Sequence, residues 1–213
     1  MNNSREQGAK EDQEREVREI RNALQNHRVV VLDVYIDEKS YGDVRLRLLQ
    51  LQIEGAGPVR LLIDCNGGER FYAEKLYGLI NGILTMPVHA LVVGKCASAA
   101  TRILLACKVR RSMPYGQFLI HSGSMENISL KQDGMTEKNV DRLLREIRKD
   151  TEKLITFYQR HLKKSRRIIK KLIEGGDEKF DNYLSAQEAL EIGLITEIVS
   201  GNAEIFPPFP KER

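Results

Sequence analysis

The sequence predicts an α/β fold built on a mainly parallel sheet, and three observations carry that prediction. Short apolar runs at Arg28 to Ile36 (RVVVLDVYI), Val59 to Cys65 (VRLLIDC) and Val88 to Gly94 alternate with stretches of helical period. Strands that alternate with helices in this way are joined by right-handed crossovers and lie parallel. The chain has 213 residues, which fits one domain, since α/β domains reach roughly 200–250 residues.

Composition narrows the function classes. The chain is 41% apolar and 30% charged, slightly more polar than the soluble average of about 45–50% and about 25%. Lys95 and Arg102 break the apolar run from Val88 to Cys107, and no segment approaches the ~20 apolar residues needed to cross a bilayer. The opening Met1-Asn-Asn-Ser-Arg-Glu-Gln lacks the apolar core of a signal peptide. Neither a membrane span nor secretory export is expected. The net charge of +4, from 34 basic and 30 acidic side chains, is too small to argue for a nucleic-acid partner. Cys65, Cys96 and Cys107 are odd in number and without CxxC spacing, so no disulfide framework or structural zinc is expected. Free thiols fit a reducing compartment, and the cytoplasm is the expected location.

Taken in order, residues 1–16 contain no Val, Ile, Leu or aromatic residue and read as a mobile polar tail. Residues 17–200 read as the single domain. After the strand Arg28 to Ile36, a helix is expected from Asp43 to Ile53. The strand Val59 to Cys65 ends at Asn66-Gly67-Gly68, followed by a helix from about Glu69 to Leu84. Pro87 precedes the strand Val88 to Gly94, and a short helix from near Cys96 to Cys107 leads to a short strand, Gln117 to Ile120. From Thr136 to Leu162 apolar residues fall at Val140, Leu143, Leu144, Ile147, Leu154, Ile155, Tyr158 and Leu162, the spacing of one amphipathic helix roughly 40 Å long. Such a helix outruns a domain of this size, so its outer end needs cover from another subunit and an oligomer is expected. The basic helix Ser165 to Ile173 places Ile168, Ile169, Leu172 and Ile173 to one side, so its charges read as a solvated face and not as a nucleic-acid patch. A helix from Ser185 to Ile192 and a strand from Thr196 to Val199 follow. Residues 201–213 form a tail in which Phe206-Pro-Pro-Phe-Pro210 excludes helix and central strand.

Function in α/β folds collects at the carboxyl ends of strands, and three such ends stand out. Ser98 lies among small residues where the strand Val88 to Gly94 gives way to a helix. It reads either as a nucleophile beside exposed helix amides or as one of several small residues that permit close packing. Gly67-Gly68 offers a backbone N–H for close approach to a ligand, or simply a strand-to-helix turn. No P-loop lysine and no GxGxxG follows, which disfavours a nucleotide cradle. Of His27, His89, His121 and His161, only His121 follows an apolar strand and opens a Gly/Ser-rich loop. No histidine has the spacing of a zinc protease, so neither a metal nor another cofactor is expected. Asp181 precedes a helix that Ser185 is placed to cap, with Asp177 and Asp64 as competing carboxylates. The chain order Ser98, His121, Asp181 and the absence of GxSxG exclude an α/β-hydrolase.

Gly94-Lys-Cys-Ala-Ser98-Ala, Phe118-Leu-Ile-His121 and Asp181-Asn-Tyr-Leu-Ser-Ala-Gln-Glu-Ala-Leu-Glu-Ile-Gly-Leu-Ile, with Asn66-Gly67-Gly68 and Pro87, together resemble the Clp protease proteolytic subunit (ClpP) family over about residues 20–200. The resemblance implies a ClpP/crotonase-type spiral of β-β-α units with a long protruding handle helix. It implies a serine endopeptidase in which Ser98 is the nucleophile, His121 the general base and Asp181 its orienting acid, with the Gly68 and Ala99 amides as the oxyanion hole. It further implies two stacked rings of seven subunits enclosing the active sites, and a ring-shaped ATPase that unfolds substrates and feeds them in. Two alternatives keep the fold: a crotonase-like acyl-CoA enzyme using only the backbone amides, and an inactive ring subunit. The chain departs from the family where prolines give way to Asn66 and Ser122, which loosens the adjoining loops, and where Ala99-Ala100 replace Met-Gly. It departs also in a longer span from His121 to Asp181 and in a wholly polar stretch at residues 1–16.

Overall fold

The computed structural model describes residues 27–121, 137–174 and 183–199; the terminal stretches expected to be tails lie outside them. Three strands arise from the apolar runs, β1 (Val29–Leu32), β2 (Val59–Cys65) and β3 (Val88–Ala97), and β4 (Val109–Ser112) follows them. They pair in parallel in that order, and β7 (Glu197–Ile198) extends the sheet beyond β4. A second branch leaves the end of β3. There β5 (Gln117–Leu119) pairs with it in parallel, and β6 (Leu184–Ser185) pairs antiparallel with β5.

Helices α1 (Glu38–Glu54), α2 (Arg70–Gly82) and α3 (Ala100–Ala106) connect these strands, and α4 (Glu137–Leu162) and α5 (Arg166–Glu174) follow, with α6 (Ala186–Ile192) between β6 and β7. In β2, Val59, Leu61 and Ile63 are wholly buried while Arg60, Leu62 and Asp64 are not. That alternation turns one sheet face towards the core formed with Leu48, Leu51, Leu76, Ile80, Ile103 and Leu104. Each such aliphatic side chain contributes roughly 1.5–3 kcal/mol when fully removed from water.

Several boundaries differ from the sequence reading for physical reasons. Strand β1 stops at Leu32, and Ile36 returns only as a single bridge to Gly68. Helix α1 starts at Glu38 because Asp37 and Ser40 form a reciprocal capping box before it. Strand β3 continues to Ala97, past the expected end at Gly94, because Lys95, Cys96 and Ala97 pair with Gln117, Phe118 and Leu119. Strand β4 was not foreseen, since its sequence VRRS carries almost no apolar signal. Ser185 caps α6 as expected, in a capping box with Glu188.

The long helix has the expected two halves. Leu154, Ile155, Tyr158 and Leu162 are buried against the core, whereas Val140 is 37% and Leu144 45% exposed. All three cysteines are free and buried. Burial pushes the Cys107 thiol from 9.0 up to about 12. Burial likewise pushes the Tyr158 phenol from 10.0 to about 12, outweighing its bond to Thr101. Both groups therefore hold their protons more tightly in the folded chain than in the unfolded one. Their stabilisation is complete below the unfolded values and is lost as pH rises from about 9 towards about 12. A melting series should show a steady Tm from neutral pH to about 8.5 and a decline above, shallower in Cys107→Ala; an equal decline in that variant would contradict the assignment.

Candidate active site

The site forms where β2, β3 and β5 end together. Ser98 directly follows β3, and its N–H donates to the Leu119 carbonyl at 2.8 Å, so the branch strand β5 holds the turn. Its φ is +54°, in the left-handed region that costs a side-chain-bearing residue on the order of 1–3 kcal/mol. Three further contacts fix that turn. The Ser98 carbonyl accepts from the Thr101 N–H at 3.1 Å and from Thr101 Oγ1 at 2.6 Å. Thr101 Oγ1 lies 2.6 Å from the Tyr158 hydroxyl. Since the threonine proton is committed to Ser98, the tyrosine donates.

The glycine pair explains itself by close approach. A Cβ on Gly67, whose φ is +102°, would stand 2.7 Å from the Ala97 carbonyl oxygen and from Ser98 Cβ, and 3.1 Å from the Ala99 nitrogen. Gly68 is clasped on its other side. Ile36 N–H donates to the Gly67 carbonyl at 2.9 Å and Glu69 N–H to the Ile36 carbonyl at 2.7 Å. In a parallel bridge of this kind the residue between, Gly68, turns its own N–H away from Ile36. Because β2 lies between β1 and β3, that N–H faces the side on which Ser98 stands. Neither it nor the Ala99 N–H takes an acceptor among the described residues. Cys65 helps hold the turn: its sulfur donates to the Val34 carbonyl at 3.1 Å and accepts from Gly67 N–H at 3.3 Å.

His121 leaves β5 two residues past Leu119, while Ser98 leaves β3 one residue past Ala97, the partner of Leu119. The two side chains are therefore carried by neighbouring parallel strands at the same end of the sheet, and both are partly accessible. Asp181 and Asp177 lie outside the described residues. Asp64 is occupied elsewhere, accepting from the Lys95 N–H at 2.8 Å at the irregularity between β2 and β3. Among the other histidines, His161 lies 3.0 Å from the Tyr77 hydroxyl and against the Phe157 ring, and His89 is the second residue of β3, at the end of the strand away from Ser98. Sequence reasoning missed Thr101 and Tyr158 as supports of the Ser98 turn. Thr101, three residues after Ser98 at a helix start, was the available signal.

A glycine clasp, a strained serine at a strand end and a histidine just past the neighbouring strand meet at one end of this α/β fold. A family model described as Clp protease matches residues 11–202. The ATP-dependent Clp protease proteolytic subunit 2 of Treponema denticola is 30% identical over 193 residues, spanning 84% of this chain and 86% of its own. Subunit 1 of Protochlamydia amoebophila is 25% identical over 189 residues, spanning 87% of each. A solved ClpP1 mutant from Listeria monocytogenes shares the fold with a TM-score of 0.72 at 22% identity, covering 87% of this chain and 99% of that one. The chain belongs to the Clp protease family, and its fold is the ClpP spiral with the protruding handle helix α4.

The clasp makes a contrast between two glycines. In Gly68→Ala the new methyl would meet the Ile36 carbonyl oxygen and stand 2.5 Å from the Ile36 nitrogen, at φ +150°. That variant should lose on the order of 1–3 kcal/mol from backbone conformation alone, read as a lowered Tm. Gly78 in α2 has open space around it, so Gly78→Ala should gain roughly 0.5–1 kcal/mol. Equal Tm values for the two variants would refute the clasp.

Proposed function

We propose that this Clp-family protease is a serine endopeptidase in which Ser98 attacks the peptide carbonyl and His121 accepts its proton and later returns it to the leaving amine. The observation that carries this reading is the pairing of the strained Ser98 turn with His121 on the adjoining strand, beside a glycine clasp that frees two amides. The Gly68 and Ala99 N–H groups would hold the oxyanion; removing one such donor from an enzyme of this kind costs about 10²–10³ in kcat. Asp181 is the proposed acid. Strand β6 runs antiparallel to β5 from Leu184, opposite Phe118, to Ser185, opposite Gln117, so the chain enters β6 at the His121 end of β5. There a carboxylate would fix the imidazole tautomer and stabilise its charged form.

The same reading extends to assembly. The exposed apolar residues on the outer half of α4, Val140 and Leu144, support a contact between two stacked rings, with seven subunits in each as the family resemblance implies. The relatives are named as subunits of ATP-dependent proteases, which supports a ring-shaped ATPase that unfolds protein substrates and feeds them to the chamber. Among the described residues no helix is long and apolar enough to cross a membrane, and we place the protein in the cytoplasm. Within the chain, residues 17–200 form the peptidase domain between two tails.

Intact mass after fluorophosphonate treatment tests the chemistry. One adduct is expected on the wild type and none on Ser98→Ala, whose peptide hydrolysis should fall by on the order of 10⁶. Absence of any adduct in every oligomeric state would favour an inactive ring subunit instead. Sedimentation tests the assembly: Leu144→Asp should halve the mass of the largest species by separating the rings, and a wild-type monomer at micromolar concentration would overturn the proposal.

A further inference from the structure

The peptide unit that joins Ser98 to Ala99 has its two ends in different surroundings. Its carbonyl oxygen accepts from the Thr101 N–H at 3.1 Å and from Thr101 Oγ1 at 2.6 Å, so both lone pairs are taken. Its N–H, on Ala99, has no acceptor among the described residues. The Ala99 nitrogen lies against the glycine pair, 3.1 Å from where a Cβ on Gly67 would stand. A trans peptide is planar, and its C=O and N–H point in opposite directions. Fixing the oxygen therefore fixes the line along which the Ala99 N–H points.

The hydroxyl that fixes the oxygen is itself held from another helix. Thr101 is fully buried, and its Oγ1 stands 2.6 Å from the hydroxyl of Tyr158 in the inner half of α4. Burial pushes the Tyr158 phenol up to about 12, so it remains a donor at neutral pH. Donation then runs one way, from Tyr158 O–H to Thr101 Oγ1 and from Thr101 O–H to the Ser98 carbonyl. Hydrogen bonds in such a chain polarise one another, and a carbonyl that accepts strongly makes the N–H of the same peptide a better donor. A threonine bonded to the carbonyl three residues back is common in helices. A buried tyrosine from α4 that spends its hydroxyl on that threonine is not required by helix α3.

We propose that Thr101 and Tyr158 are positioning residues for the oxyanion amide, aiming the Ala99 N–H at the point where negative charge develops on the substrate carbonyl oxygen. The inference rests on the hydrolytic reading of Ser98, and neither residue touches substrate. A preorganised donor acts on charge that exists only in the transition state, so loss of its aim lowers kcat and leaves KM in place.

Hydrolysis of a fluorogenic peptide amide by the full-length protein, with Tm measured alongside, tests this. Thr101→Val removes the hydroxyl and strands the buried Tyr158 O–H, so Tm should fall and kcat should fall about tenfold. Adding Tyr158→Phe removes the stranded donor, so Tm should recover while kcat stays about tenfold down. Thr101→Ser keeps the hydroxyl and loses a buried methyl, so Tm should fall. Its kcat should stay within about twofold of wild type, with KM unchanged in every variant. Rate and stability thus part company, which a purely structural role does not allow. A kcat that follows Tm across these variants, a wild-type kcat in the Thr101→Val, Tyr158→Phe protein, or a defect confined to KM would overturn the proposal and leave the hydrolytic reading intact. Hydrolysis undiminished in Ser98→Ala would overturn that reading and this inference with it.

Discussion

The approach of the Gly67 backbone to residues 97–99 governs the end of the sheet where Ser98 stands. No side chain fits between them, since a Cβ would stand 2.7 Å from both Ala97 O and Ser98 Cβ. Only with that contact made can β2 and β3 end at one level, with Gly68 bridged to Ile36 on the far side. The Ser98 turn is strained, and what offsets the strain comes from outside it. Leu119 takes its N–H, and Thr101 holds its carbonyl. Tyr158, buried in the inner half of the long helix, holds Thr101. Each bond contributes only about 0.5–1.5 kcal/mol net, but together they over-determine one conformation.

This arrangement links helix α4 to the Ser98 turn. Arg102, one residue beyond Thr101, donates to Glu74 Oε1 of α2 at 2.7 Å and lies 5.0 Å from the centre of the Phe157 ring of α4. Helices α2, α3 and α4 therefore meet around the segment that carries Ser98. A displacement of the inner half of α4 would be felt first at Tyr158 and Thr101, and only through them at Ser98. In the outer half, Val140 and Leu144 are exposed.

Much of this was legible in the sequence because the relevant signals are local. Apolar runs marked β2 and most of β3, 3.6-residue periodicity marked α4, and small residues with a glycine pair marked the strand ends. Where reading failed, the deciding partner was distant. The length of β3 depends on pairing with β5, twenty or more residues later, and apolar pattern alone does not report that. Strand β4 is VRRS, short and polar in three of its four residues, and it exists because β3 and β7 flank it. The capping box at Asp37 and Ser40 was visible as a polar pair three residues apart, but the apolar period, which begins later, set the expected helix start. Ser98 and His121 were singled out from the sequence; that they follow two paired strands comes only from the topology.

The alternation of β2 separates the chain's surfaces by chemistry as well as by place. Val59, Leu61 and Ile63 commit one face to the core, so Arg60, Leu62 and Asp64 must appear on the other. Asp64 is consumed by the Lys95 amide, which leaves Arg60 beside Arg111 and His89 with Glu197 as the carboxylate at hand. The outer half of α4, by contrast, offers aliphatic side chains at helical spacing. An apolar stripe is self-complementary and suits contact between identical subunits, because each copy buries what the other exposes. Two like-charged guanidinium groups are not self-complementary, and bringing a second copy of them together would add repulsion. The physical character of the two surfaces thus differs: the outer half of α4 exposes aliphatic side chains, and the sheet face beside Arg60 is basic.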